Sequence, residues 1–341
     1  MTEVGLLGYG RYLPERLVTG EEIAEQSGVP ADVVTEKMGL VEKRVCPPDG
    51  DHCTDMAVKA AEDALAEASI EPTALDLVLY HGSEHKDYVV WSAAADIAER
   101  LGAADAYATE SYTLCAGAPV ALRQARAQLV ADPGVETALL VTASREEDLI
   151  DYENENSSFM FNFGSGATAA VLQADPDETK TQAWIRESHA LTDGSFSQDV
   201  VMPAGGSRNP PSEETVQHGL HSLDVPDPDG MKERLAPVSL PNYLEVADVA
   251  LDRSGYDRDD LDFVAVTHMK RSFHDLLFEE LGVDPEEDGY YLDQYGHVQS
   301  ADQLLALDEG HKRGLVEAGD VVLFLAAGTG YTWSATVLEW V

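Results

Sequence analysis

Ala61-Glu-Asp-Ala-Leu-Ala-Glu-Ala-Ser-Ile-Glu-Pro-Thr-Ala-Leu-Asp-Leu-Val-Leu-Tyr-His81 lies without gaps on residues 247–267 at an offset of 186, with 6 of 21 positions identical. The shared residues are Ala61, Ala64, Leu65, Leu75, Asp76 and Val78, facing Ala247, Ala250, Leu251, Leu261, Asp262 and Val264. Each copy reads as an amphipathic helix, a turn and a short buried strand. Further along, Leu101-Gly102 closes a helical pattern as Leu281-Gly282 does. Gly164-Ser-Gly166-Ala-Thr-Ala-Ala-Val-Leu172 is echoed by Gly328-Thr-Gly330-Tyr-Thr-Trp-Ser-Ala-Thr-Val-Leu338. Three matches in one order predict an internally duplicated α/β chain, with halves at 1–174 and 175–341. Two breaker-rich stretches, 202–212 and 224–230, read as an irregular excursion within the second half.

Two halves packed about a pseudo-twofold axis bring corresponding strand ends to the centre. Cys115 follows the apolar run Ala106–Leu114 and opens a small-residue helix. Unpaired N–H groups and the helix dipole favour a thiolate there, although a free cysteine is also a common core residue. His268 ends the strand predicted over 261–267. His297 follows the strand-like Gly289–Gly296 and precedes a helix over Ala301–Leu307. The expectation is that one thiol and two imidazoles converge. A thiolate attacks an acyl thioester to give a covalent intermediate. Backbone N–H groups of Cys115 and of the Gly328-Thr-Gly330 turn would hold the oxyanion, and two neutral imidazoles donating N–H would stabilise an enolate. That layout suits carbon–carbon bond formation.

The bulk composition narrows the setting. The 341 residues are 44% hydrophobic, enough for a large folded core. With 63 acidic against 22 basic residues, the net charge of −41 repels nucleic acid and suits a halophilic host, whose salt screens self-repulsion. Three cysteines at 46, 53 and 115 make no disulfide framework and no paired metal spacing, which points to a reducing cytoplasm. No apolar window reaches the length of a membrane span.

The motifs resemble the thiolase-like superfamily of condensing enzymes, and most of all ketoacyl-acyl carrier protein synthase III, nearly end to end. Gly8-Tyr-Gly-Arg-Tyr-Leu-Pro14 resembles the opening strand and turn of that family, and Met38-Gly-Leu-Val-Glu-Lys-Arg44 its Thr-Gly-Ile-x-x-Arg-Arg stretch. Phe163–Leu172 is similar to its Phe-Gly-Asp-Gly-Ala motif, and Ala327-Gly-Thr-Gly-Tyr-Thr-Trp-Ser-Ala335 to its Gly-Gly-Gly-x-Thr-Trp-Gly-Ala. The resemblance implies a thiolase-like α-β-α-β-α sandwich, a homodimer, and Claisen-type condensation of acyl-CoA or acyl carrier protein thioesters. It implies that Cys115 carries the acyl group, that His268 is catalytic, and that Cys115 and Gly330 form the oxyanion hole. It implies no metal or redox cofactor, because the pantetheine thioester is the substrate.

Three departures qualify that picture. His297 stands where the family has Asn, as in related Cys-His-His condensing enzymes. Glu84, eighteen residues before Gly102, falls in a register resembling the general-base glutamate of hydroxymethylglutaryl-CoA synthase, which condenses without decarboxylation. No tryptophan stands in 31–38 to stack on the CoA adenine. A non-catalytic thioester-binding relic is the alternative that His297 favours. His81-Gly-Ser-Glu-His85 also fits an H-x-x-E-H zinc pattern, but a strand precedes Gly82 where the motif needs a helix.

Overall fold

A computed structural model describes residues 2–341. Its strands are β1 (Val4–Tyr12), β2 (Arg16–Thr19), β3 (Glu42–Val45), β4 (Leu77–Gly82), β5 (Tyr107–Tyr112), β6 (Thr137–Ser144), β7 (Gly166–Ala174), β8 (Ala183–Thr192), β9 (Phe263–Val266), β10 (Val321–Gly328) and β11 (Thr332–Trp340). The helices are α1 (Gly20–Ser27), α2 (Cys53–Ala68), α3 (Ala93–Leu101), α4 (Gly117–Ala131), α5 (Glu213–Gln217), α6 (Pro228–Ser254), α7 (Arg271–Leu281) and α8 (Asp302–Arg313).

The duplication is visible in the pairing. Nine strands run in the order β5-β4-β6-β7-β1-β8-β11-β10-β9. In the first half β4 is parallel to β6, which is antiparallel to β7, itself antiparallel to β1. In the second half β9 is parallel to β10, which is antiparallel to β11, itself antiparallel to β8. The halves join through β1 and β8, where only Gly5↔Trp184 and Leu6↔Ala183 are in register.

Strands β4, β6, β7, β9 and β10 are buried on both faces, and alternate residues point to different layers. Leu77 and Leu79 of β4, Phe263 and Ala265 of β9, and Val322 and Phe324 of β10 enter one core with Leu122 of α4 and Leu305 of α8. Their neighbours Val78 and Tyr80 pack against α2 and α3. Val264, Val266, Leu323 and Leu325 pack against α6 and α7. The result is α2/α3, the first-half strands, α4/α8, the second-half strands, α6/α7, the five-layer thiolase-like sandwich the resemblance implied.

One expected strand is absent. Residues 289–296 form no ladder and keep only an isolated parallel bridge, Val264↔Gly289. Local turns take the backbone groups instead: Tyr295 and Gly296 both donate to the Leu292 carbonyl, and Gly296 is left-handed at φ +67°. β5 has therefore no full counterpart at the far edge of the second half.

Candidate active site

Cys115 is positioned by a sharp turn. Leu114 adopts φ +51°, a conformation that costs a non-glycine residue energy and marks an over-determined site. One 3₁₀ turn over Leu114–Ala116 then leads into α4 at Gly117. Two glycines let other elements close on this turn. A Cβ on Gly117 would collide with the Ser300 hydroxyl, and one on Gly328 would lie 2.7 Å from the Thr113 carbonyl and 3.0 Å from the Cys115 nitrogen. The end of β10 thus presses on the backbone of the cysteine turn.

His297 arrives from the other half. Its backbone N–H donates to the Asn162 carbonyl at 2.9 Å, and its carbonyl accepts from Gly164 N–H at 2.9 Å. The Phe163 ring meets its ring edge-on at 4.9 Å. The Phe161–Phe163 segment is itself clamped by Lys43, a fully buried lysine whose ammonium donates to the Phe161 carbonyl at 3.0 Å, the Phe163 carbonyl at 2.6 Å and the Tyr152 hydroxyl at 2.8 Å. Burial lowers Lys43 to about 7, so the clamp holds its proton less firmly than an exposed lysine does.

The side chains then form a chain of contacts. His297 Nε2 lies 3.0 Å from Cys115 Sγ, and its Nδ1 lies 2.6 Å from Asp302 Oδ2. Asp302 is fully buried and also accepts the backbone N–H groups of His268 at 2.8 Å and Val298 at 2.7 Å. The Gln299 side-chain oxygen lies 3.6 Å from the sulfur. Burial opposes a charge on His297, but the Asp302 carboxylate and the Cys115 sulfur outweigh it and hold the ring well above the usual imidazole range. His268 is the opposite case. Burial lowers it to about 3, and both of its ring nitrogens are buried without a hydrogen-bond partner among the described residues. A neutral imidazole with unspent hydrogen-bonding capacity is what a ligand oxygen needs.

Comparison with known proteins places this arrangement. The family model for 3-oxoacyl-[acyl-carrier-protein (ACP)] synthase III matches residues 110–194, and the model for the C-terminal part of that enzyme matches 251–340, together just over half of the chain. Beta-ketoacyl-[acyl-carrier-protein] synthase III of Caldanaerobacter subterraneus subsp. tengcongensis is 29% identical over 336 residues, covering 98% of this chain and 97% of its own. The chain belongs to the 3-oxoacyl-ACP synthase III family. The solved priming β-ketosynthase of the R1128 polyketide pathway superposes on it with a TM-score of 0.84 at 26% identity, over 99% of this chain and 96% of its own. Synthase III from Thermus thermophilus superposes with a TM-score of 0.82 at 25% identity, over 99% of both chains.

Within that family frame, the structure sorts the residues expected from sequence. Cys115, His268 and His297 are all buried in one region, at 7%, 6% and 5% exposure. Cys115 and His297 do not sit at equivalent strand ends, because the segment before His297 is a turn; the residue equivalent to Cys115 is Ser300, which likewise follows a left-handed residue, Gln299. Gly330 lies in the β10–β11 turn at φ +139°, while the glycine that touches the cysteine turn is Gly328. Glu84 is exposed in the loop after β4 and outside the buried cluster. Its neighbour Ser83 points inward instead, its hydroxyl donating to the buried Glu146 carboxylate. His81 lies on β4 and bonds Ser300, while His85 faces Asp148 at 3.6 Å, so the two histidines of the zinc-like pattern have separate partners.

Asp302, which contacts His297, and Lys43, which clamps the Phe161–Phe163 segment, are neighbours of the cluster that sequence reading passed over. Asp302 had a faint signal, an acidic residue five positions after His297 in the first turn of a helix otherwise rich in leucine.

Proposed function

We propose that this protein is an acyltransferase that condenses acyl thioesters through an acyl-Cys115 intermediate, in the manner of 3-oxoacyl-ACP synthase III. The single observation carrying the reading is the 3.0 Å contact of Cys115 Sγ with His297 Nε2 beside an unpartnered, neutral His268. In the first half-reaction the sulfur attacks the thioester carbonyl, and the N–H groups of Cys115 and Gly330 hold the oxyanion. The leaving thiolate takes the proton from His297. In the second, a malonyl thioester loses carbon dioxide, His268 donates its N–H to the enolate oxygen, and the carbon attacks the acyl group on Cys115. Decarboxylation delivers the electron pair, so this route uses no base and leaves Glu84 without a part.

Acyl-CoA and an acyl carrier protein thioester are the substrates this reading takes. The reading extends to a cytoplasmic homodimer in a halophilic cell. Support for a second copy comes from β5, an edge strand with Tyr107 and Tyr112 exposed beside the exposed loop Tyr88–Val90. Support for the salt-rich setting is the net charge of −41. The test is intact-mass detection of an acetyl group on the wild type but not on Cys115→Ala after exposure to acetyl-CoA, followed by carbon dioxide release and a 3-oxoacyl product on adding a malonyl thioester. Equal labelling of both proteins sinks the reading.

A further inference from the structure

The commitments of the two His297 nitrogens go beyond what condensation requires. Asp302 is held as an acceptor by two backbone N–H groups, those of His268 and Val298, so the His297 nitrogen 2.6 Å from it carries a proton. That settles the tautomer. With Nδ1 protonated, Nε2 is a donor only while the ring is cationic; in the neutral ring it is a lone pair aimed at the sulfur. The charged and titratable groups facing the ring are Cys115 from the turn before α4, Asp302 from α8, and His268 after β9.

Acylation changes which form persists. As the C–S bond to Cys115 forms and the C–S bond to the donor breaks, the departing thiolate leaves as a thiol with the Nε2 proton. The sulfur then carries no negative charge, and one of the two groups that kept the proton on His297 has gone. His297 is left neutral, with Nδ1–H on Asp302 and a lone pair beside the acyl carbon. A carbon nucleophile made by decarboxylation has no use for that lone pair. An O–H nucleophile does.

Building on the acyl-Cys115 reading above, we infer that Cys115, His297 and Asp302 form a relay that also passes the acyl group to an oxygen nucleophile, water or a small alcohol. Nε2 removes the O–H proton as the oxygen bonds to the acyl carbon. The tetrahedral intermediate expels the Cys115 sulfur, and the resting pair of sulfur anion and imidazolium returns with a carboxylic acid or ester as product. Asp302 is a positioning residue in this scheme, and His268 serves the carbon route.

The test begins with protein acetylated by acetyl-CoA and freed of excess donor by gel filtration. Loss of the acetyl mark is followed by intact mass in buffer alone and with ethanol, with acetate and ethyl acetate measured. Wild type is expected to discharge at least about tenfold faster than Asp302→Asn or His297→Asn, with a rate that rises with pH and a rise displaced to lower pH in Asp302→Asn, where the imidazole has lost its carboxylate. His297→Asn is expected to keep more of its malonyl condensation than of its discharge. The wild type alone supplies a second measure, a solvent deuterium isotope effect of about twofold on discharge for a proton in flight. An acetyl mark equally long-lived in all three proteins, or no isotope effect, overturns the relay. Failure of the wild type to take the mark at all overturns the acyl-enzyme reading instead.

Discussion

Leu114 and Gln299 share a left-handed backbone, at φ +51° and +56°, and each opens a single 3₁₀ turn that runs into a central helix. The residue after each faces a histidine from the opposite half: Cys115 meets His297 at 3.0 Å, and Ser300 meets His81 at 2.8 Å. From there the two turns diverge. Two residues on from Cys115 stands Gly117, and two residues on from Ser300 stands Asp302, the carboxylate that backs His297. Among the described residues His81 has no such carboxylate; burial alone lowers it to about 3, and its surroundings include Leu6, Leu122 and Phe324. A hydroxyl against a neutral imidazole in an apolar pocket holds the two halves together. A thiol against a carboxylate-backed imidazole can react.

The largest expected effect follows from exchanging the two chemistries. Cys115→Ser should lower the rate of acetyl transfer from acetyl-CoA by about 10³-fold or more, since an alcohol is a far weaker nucleophile than a thiolate. Ser300→Cys should take an acetyl group at Cys115 but none at position 300, because His81 offers no imidazolium and no carboxylate among the described residues stands behind it. Intact mass and peptide mapping read both outcomes. Acetylation at position 300 in that variant would break the distinction between the turns.

His268 sharpens the same contrast on the reactive side. Its neutral ring is assigned to the enolate, so His268→Ala should slow malonyl condensation by about 10²–10³-fold, while the burst of Cys115 acetylation stays within about threefold. Rapid-quench measurement of the two half-reactions separates them. A parallel loss in both would move His268 into the first half-reaction.

The fold was largely legible because duplication leaves a signal that local propensity does not. The match of 61–81 to 247–267 located β4 and β9 and the helices before them, and Leu101-Gly102 and Leu281-Gly282 marked the ends of α3 and α7. The position of Cys115 in the turn before α4 was legible from the change of pattern there. What stayed hidden depended on contacts distant in sequence. A leucine does not announce φ +51°. Asp302 reads as an ordinary first-turn acid until the backbone of His268 and Val298 closes on it. Lys43 reads as a solvated cation, and its burial follows only from the Phe161–Phe163 carbonyls that surround it. The strand expected over 289–296 failed because apolar, aromatic residues there serve turns and a core edge instead of a ladder.

The structural turn yields the smallest effect, and it depends on pH. His81 titrates at about 3 when folded against about 6.5 unfolded, and the cause is burial. A folded value below the unfolded one means that the unfolded chain binds the proton first as pH falls. The stability tied to the neutral ring is therefore complete above about pH 6.5 and is lost progressively toward 3. His268, also lowered to about 3, and His274, lowered to about 4, add losses of the same sign. Replacing His81 by Gln removes one share and keeps a partner for Ser300. Between pH 7 and 5.5, at fixed salt, wild type should lose about 1 kcal/mol more unfolding free energy than His81→Gln. Denaturant titrations at the two pH values measure the difference. Parallel losses would mean that His81 carries its proton in the folded protein, and the two turns would then differ less in their electrostatics than in their nucleophile.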